Sequence, residues 1–182
     1  MNKRFRQYIG IVVAIVTYYV VHEGAHLICA ASFGVFKQII FSGIGMQIDV
    51  YREKMTDNEL GIFCLVGAIA TLLVGYVWVL LAKRICRSKN KLILACMYYI
   101  TIALLFLDPL YLSVICGFVG GGDMNGIRLI CPEVAARVMI GVLFIINGLV
   151  FWKKVLPCYR MAFSISKIKD DNITEALKED TV

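Results

Sequence analysis

His22, Glu23, Gly24, Ala25 and His26 form an HExxH pentapeptide inside an apolar run that extends from about Tyr8 to Phe33. A run of that length can cross a bilayer, and ionisable groups within such a run are costly enough to mark a functional site. Residues four apart share one helix face, so His22 and His26 can grip a single ion. Glu23 sits beside that face, within reach of water held at the ion, where a carboxylate can act as a general base. Neutral imidazoles suit zinc. The chain has only these two histidines in 182 residues. The bland alternative makes them polar groups facing the interior of a helix bundle.

The rest of the composition fits a membrane setting. Hydrophobic residues make up 60% of the chain and charged residues 18%, with a mean hydropathy of +0.78. Apolar stretches recur along its length and leave no room for a separate soluble module. The net charge of +6 is concentrated beside those stretches, as expected for cytoplasmic flanks and not for a nucleic-acid-binding surface. Seven cysteines are scattered without a CxxC pair, which predicts small buried hydrophobes and neither a disulfide framework nor a thiolate metal site.

Four spans follow from the pattern. Lys3, Arg4 and Arg6 anchor the first, Tyr8 to Phe33. A basic start before an apolar run also fits a signal peptide, but the run continues past the HExxH stretch and no cleavage site precedes it. Between Gly34 and Met55, Ile44, Met46, Ile48 and Val50 alternate with Gly45, Gln47, Asp49 and Tyr51, a period-two strand pattern with Ile39 to Phe41 as partner and Ser42-Gly43 near the turn. This segment reads either as a membrane-surface hairpin able to hold a peptide by strand addition, or as a connector lying on the headgroups. The second span, Leu60 to Ala82, carries Gly67, Ala68, Ala70, Thr71 and Gly75, read as small residues for close helix packing. The third, Leu92 to Leu107, is closed by Asp108-Pro109, read as an N-cap and first-turn pair. It opens a kinked or re-entrant piece from Leu110 to Val119. Val134 to Trp152 is the last. Basic residues cluster at the N-terminus, between Lys83 and Lys91, and beyond Lys153, so both termini are expected in the cytoplasm. The expected architecture is an all-α membrane domain over residues 1–163 with a small hairpin, and a polar cytoplasmic tail over 164–182.

Catalytic zinc normally takes three protein ligands. With no third histidine, carboxylates at the same depth are the candidates: Asp123 first, among the glycines of Gly120 to Gly126, then Asp108, with Glu133 and Asp49 behind. For Asp123 the competing role is a helix N-cap. For Asp108, next to Pro109, the cap is the preferred role, so Asp108→Asn is expected to be tolerated. Asn125 is a candidate for orienting the site or substrate.

An HExxH in the first transmembrane helix, a small-residue helix after it and a later Gly-Asp stretch resemble the site-2 protease family of intramembrane zinc metalloproteases. The resemblance spans about Tyr8 to Gly126. It implies His22, His26 and Asp123 as Zn²⁺ ligands, Glu23 as the base that activates water, and Gly34 to Met55 as the family's surface hairpin. Two places depart from the family: Met124 follows Asp123 where a glycine is usual, and Ala68 and Thr71 stand where Gly-Pro and a nearby Asn are common. The implied activity is hydrolysis of a peptide bond within or beside a membrane segment. The expected substrate is a membrane-tethered protein or a small peptide precursor, in a bacterial plasma membrane. The other class of reading is a non-catalytic metal-binding membrane protein, such as a transporter subunit or an immunity-type partner, which has no need of Glu23.

Overall fold

The structure, a computed structural model, describes residues 2–42, 45–120 and 122–164. Among these residues four helices are long and apolar enough to cross a membrane, Lys3–Ser32 (α1), Asp57–Ile85 (α2), Lys91–Val119 (α3) and Glu133–Ser164 (α5). A short helix, Met124–Ile130 (α4), lies between the last two. The expected hairpin is present as Phe36–Ser42 (β1) paired antiparallel with Gly45–Val50 (β2), in a register that sets Ile39 against Ile48. The expected turn residue Gly43 and the tail beyond Ser164 lie outside the described residues.

Local chemistry sets most of the boundaries. Asn2 accepts from the Arg4 amide, and Asn90 from those of Leu92 and Ile93, capping α1 and α3. Thr56 and Glu59 form a reciprocal capping box at the start of α2. α1 ends where Gly34 takes a φ of 67°, a left-handed conformation that a side chain resists, and the Val35 amide turns back to the Ala30 carbonyl. That reversal sends the chain directly into β1. Across the hairpin Lys37 Nζ lies 3.0 Å from Asp49, and its hydrogen bond holds the Asp49 carboxyl below the usual range.

Named contacts fix the helix directions. Gly10 of α1 lies against Tyr99 and Ala95 of α3, while Tyr18 and His22 further along α1 meet Asp108 further along α3, so these helices run parallel. α2 opposes both: Gly67 faces His22 and His26, Thr71 meets Asp108, and Trp78 donates to Met97. α5 runs against α3, with Asn147 at Leu105 and Gly117 beside Arg137. Large apolar side chains such as Leu80, Phe118 and Val134 point outward, as a lipid-facing surface requires.

α3 corrects the reading of Asp108-Pro109. The helix does not stop there, and Asp108 is not an N-cap: both residues are inside a continuous helix whose next turn, Tyr111–Ile115, is widened to π-helical spacing. The piece from Leu110 to Val119 is therefore a continuation and not a re-entrant segment. A proline removes one helical N–H and orphans the carbonyl four residues back, here that of Leu105. Asn147 of α5, fully buried, donates Nδ2 to that carbonyl at 2.7 Å, and Tyr76 of α2 donates to Asn147 Oδ1 at 2.6 Å. Three helices are tied at the orphaned carbonyl, which is how a proline is tolerated in lipid.

Candidate metal centre

The helical spacing of α1 stacks Tyr18, His22 and His26 on one face, turned toward α2 and α3. Beyond α3, Asp123 comes back over the two imidazoles. Asp123 precedes α4, but its side chain makes no capping hydrogen bond. It faces the histidines instead: Oδ2 lies 3.3 Å from His22 Nε2 and 3.7 Å from His26 Nε2. The two Nε2 atoms are 3.1 Å apart. Burial opposes the negative charge on Asp123, but its contacts with His22 and His26 outweigh that and hold the carboxyl down at about 2.

This arrangement fits a small cation. A circle through three atoms separated by 3.1, 3.3 and 3.7 Å has a radius of about 2.0 Å, the length of Zn–N and Zn–O bonds. α2 leaves the space open at Gly67: a Cβ there would stand 2.5 Å from His26 Nε2 and 2.8 Å from His22 Nε2. Two imidazoles with one carboxylate suit Zn²⁺, and arranged on one face they also suit ferrous iron. His22, His26 and Asp123 are the group of three able to hold a metal among the described residues.

Asp108 has a different place. Its carboxylate is buried behind His22, with the two oxygens 3.2 and 3.3 Å from His22 Nδ1, on the opposite side of the ring from Asp123. Tyr18 donates its hydroxyl to Oδ1 at 2.5 Å, and the Thr71 hydroxyl lies 2.5 Å from Oδ2. A carboxylate in that position draws the proton to Nδ1 and leaves the Nε2 lone pair facing Asp123 and His26. His26 Nδ1 is buried without a hydrogen-bond partner among the described residues.

Glu23, next to His22 in the chain, reaches the hairpin and interacts electrostatically with His22 and His26. Its Oε2 accepts the Ile48 amide of β2 at 3.1 Å. An amide engaged from α1 belongs to the edge of β2 that does not pair with β1, so this edge lies alongside Glu23. Asn125, the second residue of α4, is exposed, and no hydrogen bond among the described residues joins its side chain to the triad. Asp49 is committed to Lys37, and Glu133 accepts from Arg137, so neither competes for the metal position.

Sequence reasoning singled out His22, Glu23, His26 and Asp123, of which the structure brings His22, His26 and Asp123 together, but missed three supporting residues. Tyr18 carries a legible signal, standing four residues before His22 on the same face. Gly67 was read as packing alone, and Thr71 is one polar residue in an apolar helix; neither shows its partner without the tertiary contact. No protein-family model, curated protein or solved structure matches this chain.

Proposed function

We propose that this chain is a membrane-embedded zinc endopeptidase, a divergent relative of the site-2 proteases, hydrolysing a peptide bond within or beside a membrane segment. The observation that carries the reading is the convergence of His22 Nε2, His26 Nε2 and Asp123 Oδ2 around one point, with Glu23, in electrostatic contact with both histidines, held at a strand edge by the Ile48 amide. When bound, Zn²⁺ supplies Lewis acidity, polarising a carbonyl and making water nucleophilic near neutral pH.

The chain's own residues supply the rest. Asp108, with Tyr18 and Thr71, fixes the His22 ring and its tautomer, so one ligand is pre-aimed before any ion arrives. The Ile48 amide holds Glu23 Oε2, leaving Oε1 to take a proton from water and return it to the leaving amine. The unpaired edge of β2 offers backbone groups to an extended peptide, which would lie next to Glu23. Helical substrates would have to unwind to present such a segment, consistent with a bond near the end of a membrane helix or in a small peptide precursor. Asn125, exposed two residues beyond Asp123, is the candidate for contacting substrate.

The test compares purified wild type and Glu23→Gln. Wild type is expected to cleave a model transmembrane peptide and to lose that activity with a chelator. The variant is expected to keep the metal, measured by elemental analysis, while turnover falls about 100-fold or more. Near-wild-type turnover in Glu23→Gln overturns the assignment. Stoichiometric metal in a wild type that cleaves no peptide favours the metal-binding reading.

A further inference from the structure

The second feature with the makings of a site is at the other end of the bundle. A cavity of about 640 Å³ opens where α1 and α3 begin and α5 ends. Its wall includes Lys3, Arg6, Lys91 and Arg160, cations contributed by three different helices, with Tyr98 and Tyr159 between them. Tyr159 is buried, and its hydroxyl has no hydrogen-bond partner among the described residues. His22 lies 16 residues beyond Arg6 along α1, about 24 Å at the helical rise, so the metal centre takes no part here.

We propose that this cavity is a binding site for the headgroup of an anionic phospholipid, of the phosphatidylglycerol type. Its depth is that of a headgroup: the cations come from the first turns of α1 and α3 and the last turns of α5, where an apolar span meets water. Basic pockets between transmembrane helices bind lipid phosphates by this arrangement, with long cationic side chains reaching the phosphate and aromatic rings at the interface. The volume falls in the range of small-ligand sites and exceeds what one water or a chloride would need. Leu156 and Phe163 add apolar wall on the α5 side, where the glycerol and upper acyl chain would lie. Two helix N-termini, those of α1 and α3, also turn their positive ends toward this region. The occupant is therefore a negative group attached to an apolar body, which a bilayer supplies directly.

The experiment uses the full chain reconstituted in vesicles of equal phosphatidylglycerol and phosphatidylcholine, then extracted for native mass spectrometry. Wild type is expected to retain phosphatidylglycerol in preference to phosphatidylcholine. Replacing Lys3, Arg6, Lys91 and Arg160 together by Gln is expected to lower that retention about tenfold. A matched variant replacing Lys83, Arg84, Arg87 and Lys89 by Gln removes the same charge from the same end of the bundle and is expected to leave retention unchanged. Arg160→Gln alone, at an exposed residue, is expected to give a severalfold loss and serves if the fourfold variant does not fold. Equal loss in both fourfold variants overturns the proposal in favour of diffuse surface charge. Displacement of the lipid by millimolar inorganic phosphate overturns it in favour of a small-anion site. None of these readouts depends on metal or peptidase activity.

Discussion

Two aspartates near the end of the third span serve one histidine from opposite sides. Asp123 meets His22 at Nε2, where a metal would bind, and Asp108 meets it at Nδ1, where it sets the tautomer. Asp108→Asn keeps size but gives up the charge that Tyr18, Thr71 and His22 all address. Zinc affinity, measured by chelator competition, is expected to fall about 10- to 100-fold, and that of Asp123→Asn further, because a ligand itself is lost. Wild-type affinity in Asp108→Asn would show that the carboxylate at Nδ1 does not tune the His22 ligand. Gly67 permits an independent check on the position of the ion. Gly67→Ala favours the helix by propensity yet places a methyl group against both Nε2 atoms. The expected result is a folded protein with little bound metal by elemental analysis. Stoichiometric zinc in that variant would put the ion somewhere else.

At the level of elements, α3 depends on its neighbours to remain one helix. Pro109 orphans the Leu105 carbonyl, and Asn147 replaces the missing donor from another helix while Tyr76 holds Asn147 in turn. Asn147→Leu leaves a buried carbonyl and a tyrosine hydroxyl unpaired, at a cost of about 1–3 kcal/mol. In a thermal unfolding series in detergent this variant is expected to melt below wild type. The same substitution in a Pro109→Ala background is expected to cost less, because the restored N–H pairs with Leu105 itself. Equal cost in both backgrounds would show that Asn147 acts on something other than the proline break. The hairpin is the other element whose position decides the site. Only because α1 reverses at Gly34 does β2 return along α1 and present the Ile48 amide to Glu23.

For the whole molecule, helix directions place the start of α1, the end of α2, the start of α3 and the end of α5 at one face. That face also carries the Lys83 to Lys91 cluster and the cavity lined by Lys3, Arg6, Lys91 and Arg160, and the His22, His26 and Asp123 group lies toward the opposite face with the hairpin. The positive-inside rule then predicts the orientation. A reporter fused after Lys89 is expected in the cytoplasm, and one inserted near Asp49 outside it. The reverse pair of results would turn the molecule over and put the His22, His26 and Asp123 group in the cytoplasmic half.

Periodicity and local chemistry were enough to define the four spans, the hairpin and the HExxH face, because each depends on residues close together in the chain. His22 and His26 are one helical turn apart, and β2 alternates in steps of two, so their geometry is set wherever the helix and strand form. Asp123 was legible as a ligand candidate because glycines surround it and an isolated carboxylate at that depth needs a partner. The role of Asp108 was not legible: its neighbour Pro109 offers a sufficient local explanation, and the contacts that override it come from Tyr18, 90 residues earlier, and Thr71, 37 residues earlier. Gly67 likewise looks like any small residue in a membrane helix until α1 is packed against it. A partner across a helix interface leaves no periodic trace in either sequence, so tertiary structure alone decided that Asp108 backs His22 at Nδ1 and that Gly67 stands against both Nε2 atoms.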